Sequence, residues 1–473
     1  MAGFIDETLI ALDTFRERVG AIGAPTLRIG VTGLSRAGKT VFITALVSAL
    51  TDGGRLPMFD ARASGRLSRA RIVPQPDDDV PRFEAEAHQA TLRKREWPDS
   101  TRSISQVRIV LDYETREGWF SKQRSLTLDI VDYPGEWLLD LPLLDKDYET
   151  FSREAVELAS LPSRVPLARD WLEFAQGLDP SGPADEGLAK ALHERFTAYL
   201  RACRDDALAL STLPPGRFLM PGDLDGSPAL TFAPLSNLPA SLGKDTLGGL
   251  MRHRYEAYKT HVARPFFREH FARLDRQVVL IDALQALNAG TEAVTDLGRA
   301  LTDVMSCFRP GTTNAVTRLF AKRVDRLLIA ATKADHVHHT DHDRLQAIVA
   351  RLVQEATERA GAKGATVQTS ALAAVRATRE ARRGEAENAL PLIVGTPMEG
   401  ETIDGRTFDG EKEIAIFPGD LPRDPHAAIH EDQSGSIRFV RFRPPKPDNE
   451  YSTALPHIRL DRALQTLVGD RLR

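Results

Sequence analysis

Residues 33–40 read Gly-Leu-Ser-Arg-Ala-Gly-Lys-Thr and fit the pattern G-x-x-x-x-G-K-[ST]. Leu27, Ile29 and Val31 precede this stretch with the alternation of a buried strand, and an apolar helical start follows it from Val41. A glycine-rich loop between a strand and a helix directs backbone N–H groups at phosphate oxygens, and the helix N-terminus adds partial positive charge there. The stretch therefore predicts a P-loop NTPase fold of the α/β class that binds a nucleoside triphosphate.

The residues of this loop have separate predicted roles at the phosphates. Gly33 and Gly38 let the backbone curl, Lys39 reaches the β- and γ-phosphates, and the Thr40 hydroxyl can bind Mg²⁺. Lys39 is also a predicted catalytic residue, because its charge would stabilise the γ-phosphoryl group while a water attacks. The predicted phosphate-binding residues are Gly33, Ser35, Arg36, Ala37, Gly38, Lys39, Thr40 and Val41.

A second motif, D-x-x-G, ends the apolar strand predicted at 126–132. Asp132 can hold a water on Mg²⁺, and Gly135 can donate its backbone N–H to the γ-phosphate and move when that phosphate leaves. Glu136 follows at the position where Ras-like proteins carry a Gln that orients the attacking water, and it is the second predicted catalytic residue. A carboxylate can orient water but adds negative charge beside a phosphate, so we expect slow hydrolysis.

A third motif indicates the base. The strand predicted at 327–331 leads into Thr-Lys-Ala-Asp at 332–335, which has the form [NT]-K-x-D. The Asp335 carboxylate can accept two hydrogen bonds from guanine N1–H and N2–H₂, which adenine cannot offer, and the stem of Lys333 can lie along the purine. Three motifs in this order, each at a strand end, favour GTP over ATP. The predicted base-binding residues are Thr332, Lys333, Asp335, Ser370 and Ala371, with residues 373–374 as the alternative to the last two.

A switch-I hydroxyl is expected just before the strand predicted at 107–111, which should pair with the 126–132 strand. Thr101 is the predicted Mg²⁺ ligand there, and Ser103 is the alternative. Arg102 is a candidate catalytic arginine supplied in cis, although a solvated surface arginine is the favoured interpretation.

These motifs, with several further blocks, resemble the YcjX-like P-loop GTPases of bacteria. The resemblance is carried by residues 33–40, 128–142, 215–218, 275–282, 330–337 and 456–461. It implies a Ras-like nucleotide-binding domain with additional, largely helical, material. It also implies a role in a bacterial stress response and a membrane protein as partner.

Composition and charge narrow the class of protein. With 42% hydrophobic and 27% charged residues, the chain has the composition of an ordinary soluble protein. A net charge of −4 argues against broad nucleic-acid binding. Two cysteines imply no disulfide framework and suit a reducing cytoplasm. The start of the sequence has acidic residues where a signal peptide needs basic ones. No apolar run approaches the ~18 residues needed to cross a bilayer. We expect a cytoplasmic protein, peripheral at the inner membrane if such a partner recruits it.

Motif spacing predicts an interrupted nucleotide-binding domain, because about 140 residues separate Glu136 from the next plausible core strand. The C-terminal part should contain strands at 390–394, 413–417 and 436–442. The predicted division is an N-terminal helix at 1–24, a first G-domain part at 25–136, a mostly helical insertion at 137–274, a second G-domain part at 275–383, and C-terminal strands with a final helix at 384–473.

Two charged clusters have alternative interpretations. His336, His338, His339 and His342 form a group that can bind a metal, but because no Cys accompanies them we favour a solvated loop. The arginines between 376 and 383 can contact an anionic partner, but we favour an exposed helix face.

Three functional classes remain open. The favoured one is a Mg²⁺-dependent GTPase that hydrolyses slowly and acts as a molecular switch. The second is a nucleotide-gated binding module with negligible hydrolysis. An ATP-dependent kinase or ATPase is less favoured, because residues 332–335 would then have no role.

Overall fold

The computed structural model describes most of the chain. The described residues are 25–34, 36–101, 103–115, 122–205, 208–306, 324–362, 364–384, 389–403, 405–433, 437–446 and 455–473. The predicted N-terminal helix at 1–24, the loop residue Ser35 and the candidate arginine Arg102 lie outside this range.

A seven-stranded sheet in the order β2-β3-β4-β1-β5-β6-β7 forms the centre of the fold. Strands β4, β1, β5, β6 and β7 are parallel to one another, whereas β3 is antiparallel to both β2 and β4. The strands are β1 Thr26–Gly33, β2 Leu67–Val73, β3 Ser105–Glu114, β4 Gln123–Asp132, β5 Arg276–Ile281, β6 Arg326–Ala331 and β7 Thr366–Ala371. This parallel-dominated sheet confirms the predicted α/β class and the predicted pairing of β3 with β4.

The sequence folds this way because the central strands are mostly apolar and can be buried on both faces, as parallel strands covered by helices are. Every residue of β5 is buried, as are the last seven residues of β1. Helices pack against the sheet, and further helices lie elsewhere in the chain. They are α1 Lys39–Thr51, α2 Asp60–Ala63, α3 Ala85–Arg93, α4 Tyr148–Ala159, α5 Val165–Gln176, α6 Glu186–Cys203, α7 Leu247–Tyr258, α8 Arg264–Phe266, α9 Ala283–Ala289, α10 Thr291–Ser306, α11 His342–Leu352, α12 Gln354–Ala362, α13 Pro425–His430 and α14 Leu460–Val468.

The described residues form two compact units. The first contains the described parts of 25–133, 272–294 and 324–473, and the second contains those of 134–271 and 295–306. In the second unit the chain begins with a 3₁₀ segment, Gly135–Asp145, and continues into helices α4 to α7. The five-part domain division made from motif spacing stays a prediction.

Helix α14 belongs to the core of the first unit, where Leu460, Leu464 and Leu467 pack with residues of the central sheet and of α1. The backbone N–H of Met58 donates to the Asp461 carboxylate at 3.0 Å. A helix from residues 460–468 therefore completes a core that begins near residue 27.

The C-terminal part contains two small sheets, and two expectations about it are wrong. The strands are β8 Arg379–Arg383, β9 Leu390–Gly395, β10 Thr402–Ile403, β11 Arg406–Thr407 and β12 Ile414–Ile416. The strands predicted at 390–394 and 413–417 are confirmed. No strand forms over 437–442, where a single bridge joins Phe442 to Pro397, because the buried residues there are spaced three and then two apart. The arginines of 379–383 lie on strand β8 and not on a helix.

No helix in the described part of the chain is both long enough and apolar enough to cross a membrane.

Candidate functional site

The parallel strands bring the three sequence motifs to one edge of the sheet in the first unit. Gly33 ends β1, Asp132 ends β4, Ala331 ends β6 and Ala371 ends β7. The register pairs Val31 with Asp132 and Ala331 with Ala371. Because carboxyl ends of parallel strands share an edge, this is where ligands bind in open α/β sheets.

The loop after β1 has the backbone that phosphate binding requires. Gly38 has φ +83° and directly precedes α1, so its left-handed conformation turns the chain into the helix. A Cβ atom at Gly33 would lie 2.7 Å from the carbonyl oxygen of Leu280, so a side chain there would clash with β5. Both glycines therefore have a geometric reason to be glycine.

Lys39, the predicted phosphate lysine, is folded into this loop. Its side chain is 8% exposed and its Nζ donates to the carbonyl oxygen of Gly33 at 3.0 Å. A lysine held against the loop backbone places its charge among the N–H groups that face phosphate in such loops.

The three predicted Mg²⁺ ligands lie together. Thr101 Oγ1 donates to Asp132 Oδ2 at 2.6 Å and lies 3.1 Å from Thr40 Oγ1. Ser103, the alternative, is exposed. Burial raises the pKa of Asp132 to about 6, against the charge of Lys39 and the Thr101 hydrogen bond.

The Asp132 carboxylate has an unused oxygen. Its Oδ1 is buried, and within the described residues it has no hydrogen-bond partner. An unpaired buried carboxylate oxygen is costly. The other oxygen of the same carboxylate, Oδ2, accepts from the Thr101 hydroxyl beside Thr40, and oxygens of these kinds are ligands that Mg²⁺ prefers. The residues present therefore fit a magnesium ion.

A buried polar cluster supports this corner and was not predicted from the sequence. The Tyr133 hydroxyl hydrogen-bonds to Thr32 Oγ1, and Gln277 Nε2 donates to both, at 2.9 Å to Tyr133. These residues come from β1, β5 and the end of β4, so they fix the strand ends against one another. Gln277 directly precedes the four apolar residues that end β5, and this polar residue in a buried strand is the sequence signal that could have found the cluster.

At the base end, the guanine motif is tied to the two neighbouring strands. Thr332 donates its backbone N–H to Ile281 O at 2.9 Å, and Lys333, at φ +57°, pairs through Nζ with Asp282 Oδ2. Ala334 donates its backbone N–H to Leu372 O at 3.1 Å. The motif is therefore held in place by residues that follow β5 and β7.

The Asp335 side chain is buried and held by backbone. Asp335 is 4% exposed, and its Oδ2 accepts a hydrogen bond from the N–H of Ala377 at 2.7 Å. Burial raises its pKa to about 6, against that hydrogen bond. Ser370 and Ala371 lie beside the end of β6, whereas Ala373, part of the alternative, bridges to Ile458.

The histidine cluster that follows this motif is not a solvated loop, and this expectation is wrong. His336, His338 and His342 are buried, and only His339 of the four is exposed. His336 stacks on Phe439 with ring centroids 5.3 Å apart, and Lys333 Nζ lies 5.3 Å from the same ring. A C-terminal aromatic thus packs against the guanine motif, a contact that sequence spacing does not indicate.

Gly135 and Glu136 belong to the second unit, where Glu136 has a partner that the sequence analysis missed. Glu136 Oε1 is 2.7 Å from Arg204 Nη2. The ion pair offsets part of the negative charge of Glu136, and it also engages one of the two carboxylate oxygens that could orient a water. The two residues are 68 positions apart in the chain, so no local pattern relates them.

The residues after Glu136 are packed closely on another segment of the second unit. The Trp137 indole N–H donates to Met220 O at 2.9 Å, and the Arg217 guanidinium lies 3.2 Å from the Trp137 ring centroid. Gly216 donates its backbone N–H to Asp140 Oδ1 at 2.7 Å. The segment 136–140 is therefore bound to 216–220.

Comparison with known proteins confirms the family predicted from the sequence. A model of the YcjX-like family, DUF463, matches residues 27–472. The chain is 38% identical to the Ras-like GTPase YcjX of Escherichia coli (strain K12) over 463 residues, covering 94% of this chain and 96% of the relative. It is 35% identical to the Ras-like GTPase YcjX of Shewanella oneidensis over 476 residues, covering 94% of each chain. The chain therefore belongs to the YcjX-like family.

Proposed function

We propose that this protein binds GTP with Mg²⁺ and hydrolyses it slowly, acting as a molecular switch. The observation that carries the proposal is that the strand ends bring Lys39, Asp132 and Asp335 to one edge of the central sheet. Both relatives are named Ras-like GTPases, which supports the same activity.

At the phosphates, Lys39 and the loop backbone would hold the β- and γ-phosphoryl oxygens. Thr40, Thr101 and Asp132, the last through a water, would hold a magnesium ion, which when bound neutralises phosphate charge. Thr101 would then exchange its hydrogen bond to Asp132 for the ion, so residues near 101 would order with the γ-phosphate. Arg102 stays a candidate for an arginine supplied in cis.

At the base, Asp335 would accept from guanine N1–H and N2–H₂. Its backbone partner Ala377 fixes one carboxylate oxygen, so the side chain is oriented before the base arrives. Lys333 is oriented in the same way by Asp282. Ser370 and Ala371 are the proposed contacts of guanine O6.

For hydrolysis, Gly135 is proposed to sense the γ-phosphate and Glu136 to orient water. The ion pair of Glu136 with Arg204 bears on the rate, because a carboxylate held by an arginine is less able to orient water. This observation favours the second candidate, a nucleotide-gated binding module with negligible turnover.

Single-turnover assays with GTP and with ATP, each with and without Mg²⁺, separate the candidates. We expect slow GTP turnover that requires Mg²⁺ and fails with ATP. Lys39→Ala should weaken GTP binding by at least about tenfold, because a desolvated charged partner is lost. Asp335→Asn should move preference from GTP to XTP, because an amide donor opposes guanine but suits the xanthine carbonyl.

The other outcomes each select a different function. Tight GTP binding without turnover would select the binding module, and preferred ATP turnover would select the kinase or ATPase. Unchanged GTP affinity in Lys39→Ala would remove the phosphate-loop assignment itself.

Cellular proposals rest on family resemblance alone. We propose a cytoplasmic switch in a bacterial stress response, recruited to the inner membrane by a protein partner. Cell fractionation tests this proposal with one variant of the protein locked in the GTP-bound state and one locked in the GDP-bound state. The same cytosolic fraction for both variants would argue against recruitment.

A further inference from the structure

Three potential metal ligands lie close together in the first unit, and two of them follow the guanine motif at 332–335 in the chain. His338 and His339 follow Asp335 by three and four residues, and Glu380 lies on β8. One donor atom from each lies within 4.8 Å of the other two. Glu380 Oε2 is 2.7 Å from His339 Nδ1 and 3.9 Å from His338 Nε2.

The His338 ring is oriented for this role. His338 is 2% exposed, and its Nδ1 lies 3.0 Å from Thr340 Oγ1, so the other ring nitrogen is the one that faces Glu380. The backbone N–H of Thr340 also donates to this Nδ1 at 3.5 Å. A metal-binding histidine donates its second ring N–H to an acceptor, so with a metal on Nε2 the Nδ1–H would donate to Thr340 Oγ1. The His338 and His339 ring centroids are 4.2 Å apart, so both imidazoles reach the same place.

Charge in the cluster also suits a cation. Burial, with His339 nearby, lowers the pKa of His338, which keeps it a neutral donor. Partial burial raises the pKa of Glu380, but the hydrogen bond and charge of His339 outweigh it, so the pKa is lowered. Arg376 approaches the other carboxylate oxygen, Oε1, at 3.7 Å, which leaves Oε2 to the histidines. Arg382 and Asp341 act on His338 in opposite senses.

We propose that His338, His339 and Glu380 bind one divalent transition-metal ion of the zinc class, with water completing its shell. Two imidazole nitrogens and one carboxylate oxygen are a ligand set that zinc accepts with an open fourth position. Donors around a tetrahedral zinc with bonds of about 2.1 Å lie about 3.4 Å apart, by the geometry of that shell. The distances between the donor atoms of His338, His339 and Glu380 differ from 3.4 Å by about 1.5 Å at most. Rotation of the exposed His339 side chain can make up this difference.

The position of the site gives it a consequence for the base. Ala377 and Thr378 both hydrogen-bond Asp335, one to its carboxylate and one to its carbonyl, and Glu380 follows them on β8. An ion joining Glu380 to His338 and His339 would close a clamp around Asp335. Resting on the proposed function, the ion should tighten guanine nucleotide binding, and the nucleotide should tighten the ion reciprocally.

Zinc affinity of the full chain, measured by competition with a chromophoric chelator after metal stripping, tests the site. We expect one zinc ion per chain, with affinity reduced at least tenfold in His339→Asn and in Glu380→Gln. His339 is exposed and Glu380 half-buried, so both variants should fold, which thermal melting checks.

A second histidine pair provides the matched control. His426 and His430 lie one turn apart on α13, with ring centroids 4.2 Å apart. Among the described residues no third potential ligand joins this pair, so it should bind zinc more weakly than the proposed site. The variant His426→Gln with His430→Gln should keep the zinc site. Loss of zinc in that variant but not in His339→Asn and Glu380→Gln, or no stoichiometric zinc at all, would overturn the proposal.

Calorimetry of GDP with excess Mg²⁺, at buffered free zinc, tests the clamp. Zinc should tighten GDP about fivefold in the wild type and leave Glu380→Gln unchanged. Zinc bound with no effect on GDP would overturn the clamp and support the site alone. If GDP does not bind under any condition, the proposed function fails, while the chelator competition still decides the metal site.

Discussion

Two tryptophans anchor the segments on either side of the β3–β4 hairpin, and they are held in different ways. The Trp97 indole N–H donates to Phe442 O at 2.7 Å, in the first unit, and the Trp137 indole N–H donates to Met220 O at 2.9 Å, in the second. Trp97 is half-buried, whereas Trp137 is 4% exposed. The segment around Trp97 is therefore bonded to the C-terminal part of the chain, and the segment around Trp137 is bonded to residues 216–220 within the second unit.

The contacts of the residues beside each tryptophan differ in the same way. Beside Trp97, Arg95 donates to Thr396 Oγ1 at 2.9 Å, a side-chain bond at a half-buried position. Beside Trp137, Gly216 approaches the backbone so closely that a Cβ would lie 1.7 Å from Glu136 O. A side-chain hydrogen bond such as that of Arg95 can break and be replaced by a bond to water without movement of the backbone. The tight contact of Gly216 with Glu136 can open only if one of the two backbone segments moves. We therefore expect the segment near Trp97 to loosen more readily than residues 136–140.

The largest predicted effect comes from removing the close approach in the second unit. Gly216→Ala places a methyl group into the Glu136 carbonyl, which only backbone movement can relieve, so we expect a loss above about 3 kcal/mol in the free energy of unfolding. Urea denaturation measures it. Gly177→Ala is the matched control, because its Cβ would meet atoms at 3.6 Å or beyond, and it should change stability little. Equal effects in the two variants would contradict the close packing of 136–140.

The next largest predicted effect is a pH dependence of the free energy of unfolding that comes from Asp140, in the segment 136–140. Burial raises the pKa of Asp140 to about 7, against partial compensation by Arg217. This folded-state pKa lies above the unfolded value, so the contribution to stability is full at low pH and is lost as pH rises from about 4 through 7. Asp140→Asn stays neutral and keeps an oxygen for Gly216 N–H, so at pH 8 it should be more stable than wild type by about 2 kcal/mol.

Urea denaturation of both proteins at pH 5 and at pH 8 checks this expectation. Contributions of other buried carboxyl groups, Asp132 and Asp335 among them, cancel in the difference between the two proteins. A stability difference that is the same at pH 5 and at pH 8 would show that Asp140 is already ionised at pH 5 in the folded protein, and would contradict the raised pKa.

The smallest effect compares the tryptophans directly. Trp97→Phe removes one donor from a half-buried site and should cost about 1 kcal/mol. Trp137→Phe removes a donor and the Arg217 stacking from a buried site and should cost about twice that. Hydrogen exchange at 95–101 and at 136–140 in each variant locates the change. A larger loss in Trp97→Phe would reverse the proposed order of the two segments.

Much of the first unit was predictable because its signals are local. The loop at 33–40, the strand ends and the position of Thr101 ahead of β3 each follow from a few neighbouring residues, and the structure brings Thr101 to Thr40 and Asp132 as expected. Guanine selectivity and catalysis by these residues stay predictions.

What could not be predicted depends on pairs far apart in the chain. Lys333 and Asp282 are 51 residues apart, and neither position shows that the other is its partner. Burial of the histidines after Asp335 was missed because a polar loop sequence indicates exposure, while Phe439 and Phe442 arrive from about 100 positions later. The arginines of β8 share the spacing of a helix face, but the strand exposes them equally well.

Helix α14 has a consequence for the order in which the protein is made. The first unit needs residues 460–468 in its core, and Met58 bonds a carboxylate 403 residues away. All of the second unit's described residues have been synthesised by residue 306. These residues therefore leave the ribosome long before the first unit can complete its core, and we expect the candidate site to form only after helix α14 has emerged.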